Sequence, residues 1–185
     1  MTGPVEFRTT QDRLNIFVSS RLQECSEERK VAHRAIASIQ HRPVLFEHVG
    51  ARPYSPRILY LSRLRDSQAM IAIYRTGYGW IDTTGGMTIS GLEDELRFAQ
   101  ENGIDTLFYI YRSEAGREPR LQALIDEVGS ASNTLYYYES PEELDLRIRE
   151  DVTAFITDKV LDALAQKTLV SASDPLDRII TTGGP

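Results

Sequence analysis

The sequence predicts one α/β domain built on a five-stranded parallel sheet, doubly wound, in the strand order 2-1-3-4-5. Three observations carry that expectation. Short apolar runs alternate with helical stretches five times, the pattern of strands joined by right-handed helical crossovers. The runs are almost continuously apolar, as strands covered on both faces are. The length, 185 residues, suits one domain that can bury about 70% of its unfolded surface without a disulfide or metal.

Leu14–Val18 is the first short apolar run and is read as a buried strand. A helix is expected from about Glu24 to Gln40, with Ala32, Ala35, Ile36 and Ile39 at helical spacing. Pro43–Phe46 reads as a second strand. Ser55 caps the next helix and Pro56 takes its first position, the helix running to about Arg65. Ala69–Tyr74 is the third strand. A loop rich in Gly and Thr fills Thr76–Ile89, and Asp82–Ile89 reads as a mobile flap. A helix over Gly91–Asn102 ends at Gly103, a left-handed terminator.

Thr106–Tyr111 is the fourth strand, Pro119–Val128 a helix and Thr134–Tyr138 the fifth strand, at the sheet's edge. Ser140-Pro-Glu-Glu143 opens the last helix as a capping box, and that helix is expected to reach about Gln166. The organisation read from this is an extension over 1–12, a domain over 13–166, and a tail or linker over 167–185.

Twenty-one basic and twenty-seven acidic residues give a net charge of −6, which disfavours general nucleic-acid binding. No apolar run approaches the roughly 18 residues that span a bilayer, so no membrane partner is expected. The polar first twelve residues lack a secretory apolar core, and the single cysteine, Cys25, permits no internal disulfide. A cytoplasmic location follows as the expectation. His33, His41 and His48 have no metal-ligand spacing with Cys25 or one another, so no metal is expected, and Cys25 lacks an evident base.

Ligands in a doubly wound sheet bind beyond the strands' carboxyl ends, at the switch point between strands one and three. The helix that begins after Ser90 therefore draws interest. Ser90 and Glu93 form a capping box, and Glu93 also precedes Arg97 by four residues, the orientation that favours an ion pair. Glu95 has no such partner. On a wheel of about 100° per residue it falls in the apolar arc with Leu92, Leu96, Phe98 and Ala99. A carboxylate there is a candidate catalytic group; the alternative is a rim residue that reaches water.

Glu28 and Arg29 flank the apolar stripe of the first helix. They read as an ion pair anchoring helix to sheet, or Arg29 positions a ligand phosphate. Ser19, Ser20 and Arg21 follow the first strand, where hydroxyls, N–H groups and a cation meet a phosphate or ribose. No Gly-x-Gly-x-x-Gly is present, and Gly85-Gly86 is not followed by the Gly-Lys-Ser/Thr of a P-loop. Tyr74, Tyr78 and Trp80 are candidates for stacking on a base or nicotinamide ring; the alternative puts Tyr74 at a strand end and Trp80 in the core.

In order along the chain stand Ile16-Phe-Val-Ser-Ser20, Glu28-Arg29, Pro43-Val-Leu-Phe-Glu47, Ser55, Asp66-Ser67 and Tyr78-Gly79. This series resembles the DUF4062 family, over about Leu14 to Tyr111. Domains of that family look like relatives of TIR domains and nucleoside 2-deoxyribosyltransferases, and often begin larger bacterial defence or signalling proteins with NTPase modules. The resemblance implies a flavodoxin- or TIR-like fold. It places the relatives' catalytic Glu at Glu95, with Leu96 after it and Ala99 four residues on, and it brings Gly79 into the ligand-binding set. The sequence departs at Gly91-Leu92, where relatives often carry Thr or His.

Two functions are expected from these readings. One is cleavage of an N-glycosidic bond in NAD, a nucleotide or a nucleoside, with NAD as substrate and no bound cofactor. The other is a non-catalytic module that self-associates and is fused to further domains.

Overall fold

The computed structural model describes residues 13–48, 53–113, 115–131 and 133–172, with side chains to residue 166. The expected extension over 1–12 and the end of the expected tail, 173–185, lie outside these residues. The chain divides into two compact units, the first ending at Arg149 and the second beginning at Glu150.

The sheet comprises β1 (Asn15–Ser20), β2 (Arg42–Val44), β3 (Ala69–Tyr74), β4 (Asp105–Tyr111) and β5 (Leu135–Tyr138). All pairings are parallel and the order is β2-β1-β3-β4-β5, as the sequence predicts. Between the strands lie helices α1 (Ser26–Ser38), α2 (Pro56–Arg65), α3 (Gly91–Glu101) and α4 (Pro119–Ser130), and α5 (Pro141–Ala172) follows β5. Val18, Ile73 and Phe108, in the adjacent strands β1, β3 and β4, are all buried.

The alternation of side chains along each strand sorts the core into two layers. On one face Phe17, Met70, Ala72, Tyr74, Phe108 and Ile110 pack with Leu64 of α2, Leu96 and Ala99 of α3, and Leu121 and Ile125 of α4. Ile16, Val18, Ile71 and Ile73 point the other way and are equally buried, as are Val31, Ala32, Ala35 and Ile36 of α1. The connection after β1 thus leaves toward one face and the connection after β3 toward the other. That divergence opens a crevice at the carboxyl ends of β1 and β3.

Local signals set the helix ends. Ser55 Oγ accepts the Ile58 N–H at 3.3 Å, and Ser140 Oγ accepts that of Glu143 at 3.2 Å. Gly103 stands at φ +65° after α3, the left-handed geometry a glycine adopts without strain. Two boundaries differ from expectation. β2 is only three residues long because Phe46–His48 turns into a 3-10 helix. Helix α5 continues to Ala172, so residues 167–172, expected as tail, are helical.

Candidate functional site

The crevice is a cleft of about 740 Å³. Ser20, Arg21 and Arg29 border it from the β1–α1 side, and Phe46 from the turn after β2. Arg57 and Tyr60 of α2, Gly79, Trp80 and Asp82 of the loop after β3, and Gly91, Leu92 and Glu95 of α3 complete its wall. A cleft of this size matches the roughly 300–1,000 Å³ of small-molecule sites.

Glu95 is half-buried on the cleft wall. Its Oε2 accepts a hydrogen bond of 2.5 Å from Ser19 Oγ, its only hydrogen bond among the described residues. Ser19 sits in β1 opposite Ala72 and is itself buried, so the sheet fixes this donor. Burial pushes the Glu95 carboxyl up to about 8; the Ser19 hydroxyl and the Arg29 charge oppose the rise, and the Asp94 charge adds to it. The carboxyl therefore holds its proton well above the usual carboxylate range.

The two acidic neighbours of Glu95 are each paired with an arginine. Asp94 Oδ1 and Oδ2 accept two hydrogen bonds of 2.8 Å from the Arg57 guanidinium, and Tyr60 Oη donates to Oδ2 at 2.7 Å. This bridge ties α2 to α3 across the cleft wall. Glu93 pairs with Arg97 at 3.0 Å and accepts the Tyr78 hydroxyl. Its backbone N–H is capped by Ser90 at 3.3 Å. The capping box is not reciprocal: the Ser90 N–H goes to Tyr78 Oη at 3.2 Å, and the Tyr78 hydroxyl bridges it to Glu93. The Glu93 side chain is only 14% exposed because it receives that buried phenol.

Glu28 and Arg29 do not pair with each other. Glu28 binds Arg75 at 2.7 Å. Arg29 forms a two-pronged bridge to Glu47, donates to the Val18 carbonyl at 3.2 Å, and holds Ser20 Oγ at 2.8 Å. Arg29 thus joins α1, the end of β1 and the turn after β2, while one side of it faces the cleft. Glu24 does similar work for the next loop: it accepts the backbone N–H groups of Thr76 and Gly77 at 3.0 and 3.3 Å and pairs with Arg21 at 3.2 Å. A Cβ at Gly77 would lie 1.5 Å from Arg21 Nη1, so only glycine lets that guanidinium cross the loop.

Of the residues singled out from sequence, the cleft gathers Ser20, Arg21, Arg29, Gly79, Trp80 and Glu95. Three others are placed differently. Tyr74 is fully buried, packed edge-on against Phe108 at 6.3 Å, and its ring has no face for a ligand. Tyr78 is 2% exposed and one ring face carries the Arg120 guanidinium at 4.4 Å, so it builds the α3 cap instead of stacking on a ligand. Ser19 reaches the cleft only through Glu95. Trp80, by contrast, is 76% exposed at the cleft's rim, so the core alternative fails for it.

Cys25 is buried and burial pushes its thiol up to about 12, which leaves no thiolate for chemistry. Arg57, Tyr60, Asp94 and Glu47 were not found by sequence reasoning. Their partners lie 18 to 37 residues away, beyond any local spacing rule. At Gly91 a Cβ would meet nothing nearer than Tyr60 Oη at 3.9 Å. The bare position widens the cleft beside Glu95.

Fold and crevice together define a doubly wound α/β domain with a cleft at the switch point. The chain belongs to the DUF4062 family, described as a domain of unknown function, which matches residues 15–153. No curated protein matches the chain. Arg29 and Glu47 are partners in one bridge, and Gly79, at φ +100°, turns the loop over Ser90. No described helix is long and apolar enough to cross a membrane.

Proposed function

We propose that this domain cleaves the N-glycosidic bond of NAD or a related nucleotide or nucleoside, with Glu95 as the acting carboxyl group. One observation carries the reading: Glu95 alone among the three acidic residues Glu93, Asp94 and Glu95 has no cation partner and opens into the cleft. Buried carboxyl groups left without a partner cost stability and mark functional sites.

The chemistry follows from the charge. In NAD the ring nitrogen bonded to the anomeric carbon is cationic. Arrival of that cation beside Glu95 favours the carboxylate form, against the burial that favours the neutral one. The C–N bond breaks with its electron pair passing to the ring, and nicotinamide leaves neutral. The Glu95 carboxylate stabilises the oxocarbenium ion or bonds to it, and water completes hydrolysis with loss of a proton. Ser19 holds the carboxyl oxygen at 2.5 Å throughout. Arg21, Ser20 and Trp80 line the cleft; on this reading Arg21 and Ser20 hold ribose or phosphate and Trp80 covers the ring.

The test incubates the protein with NAD, and separately with nucleosides, and follows base release by chromatography. Release by wild type and its loss in a folded Glu95→Gln variant supports the reading; no release from concentrated wild type removes it. Because kcat/KM reports the free enzyme, the value for NAD should rise with pH up to about 8 as Glu95 ionises.

A second reading rests on the rim. Leu22, Ile58 and Trp80, all on the cleft wall, are 45%, 60% and 76% exposed. A second copy of the chain seated on this rim would make the domain a self-associating module of a larger signalling protein. Sedimentation of Trp80→Ala and Glu95→Gln separates the two: assembly lost only with Trp80, and no turnover in any form, favours the module.

A further inference from the structure

A second cavity of about 550 Å³ adjoins the cleft and shares Arg29 and Leu22 with it. Lys30, His33 and Arg34 of α1 and His48 of the turn after β2 border it. Its floor includes the buried Leu45. In a chain of net charge −6, this concentrates cationic and imidazole groups around one small apolar floor.

The carboxylates nearby are accounted for. Glu47 is engaged by Arg29, and Glu27 pairs with Lys30 at 2.7 Å with both side chains about two-thirds exposed. Exposed pairs of that kind are weak and yield readily to a better anion. His33 and His48 meet edge to face at 5.3 Å, which fixes both rings on one wall.

The two cavities are joined by one short element. The turn Phe46–His48 puts Phe46 in the cleft and His48 in the second cavity, while Glu47 between them holds Arg29, which borders both. Arg29 in turn holds Ser20 Oγ at the cleft wall. Glu47 and Arg29 thus connect the turn that borders the second cavity to Ser20 and Phe46 of the cleft.

We propose that this second cavity is a binding site for a small phosphate-bearing anion, linked to the cleft through the Phe46–His48 turn and Arg29. Lys30 and Arg34 supply the charge, the two imidazoles supply N–H donors, and Leu45 seats an apolar part of the ligand. Binding here does not depend on the chemistry at Glu95. The change it makes in the cleft modulates whatever ligand the cleft takes.

Calorimetry of the full chain with inorganic pyrophosphate tests the site. Wild type and Glu95→Gln are expected to bind alike, so a failed glycosidase reading leaves this result intact. The double variant Lys30→Glu/Arg34→Glu, changed only at exposed positions, is expected to bind at least about tenfold more weakly while keeping its melting temperature. Trp80, the chain's one tryptophan, lies on the cleft rim and reports the linkage. Pyrophosphate should shift its emission in wild type and not in the double variant. No binding at millimolar pyrophosphate overturns the proposal. So does binding that survives Lys30→Glu/Arg34→Glu but is lost in Arg21→Glu, because the anion then sits in the cleft. Binding without a shift in Trp80 emission overturns the linkage.

Discussion

The carboxyl ends of the strands behave differently on the two sides of β3. Beyond β4 and β5 the strand ends are stapled. Arg117 donates to the carbonyls of Arg75, at 2.9 Å, and of Tyr111. Glu118 gives its N–H to the Thr76 carbonyl at 2.8 Å and accepts the Tyr78 N–H at 3.0 Å. Arg75 lies over the Tyr111 ring at 4.3 Å and pairs with Glu28. Beyond β1 and β3, the connections diverge to opposite faces and the cleft stays open, with Glu95 on its wall. A polar group at a strand end costs stability unless it is partnered. On one side arginines and glutamates bind across the strand ends; on the other the Arg29–Glu47 and Arg57–Asp94 bridges frame an open cleft in which Glu95 has a single hydroxyl partner.

Arg29→Ala should break this contrast most severely. It strips Glu47 of its partner and the β1 end of its donors, and a loss of about 3 kcal/mol in urea unfolding is expected, as for a buried ion pair that loses one member. Arg117→Ala tests the stapled side. Two strand-end carbonyls lose a charged donor, so stability should fall by about 1–3 kcal/mol, while base release by the folded fraction is unchanged. Glu93→Ala removes the acceptor of the Tyr78 hydroxyl and the Arg97 pair, with an expected cost of about 1–2 kcal/mol and activity retained.

Glu95→Gln should act through pH. The folded-state value of about 8 stands above the ordinary 4.5. The folded state therefore binds the proton more tightly than the unfolded chain does. The stability this contributes is complete below about 4.5 and is lost as pH rises to about 8. The Gln variant lacks that loss, so its stability relative to wild type should climb across the same window. Denaturant midpoints of both proteins at pH 5, 7 and 9 measure it.

Much of this architecture is legible in the sequence because it is local. Ser55-Pro56, Ser140 and Gly103 mark helix ends by chemistry that acts within one turn, and the apolar runs state the parallel sheet. Glu95's inward aspect is also local, since a helical wheel suffices. What surrounds Glu95 is not. Its Ser19 donor is 76 residues away, and the Arg57–Asp94 bridge spans 37. Tyr74 and Tyr78 were read as ligand contacts because an aromatic at a strand end is compatible with either role. Only the packing of Phe108 and Arg120 against their rings decides between core and cleft.

On the open side burial holds the Glu95 carboxyl above the usual carboxylate range. Carbon-13 NMR of the glutamate carboxyl carbons, with Glu95→Gln to assign the signal, measures it directly. A midpoint near 8 is expected, moving down in Asp94→Asn, where the charge of its acidic neighbour is removed. A midpoint near the ordinary 4.5, indifferent to Asp94, would contradict it: Glu95 would then be a solvated surface carboxylate, and the cleft would hold no group poised for glycosidic chemistry.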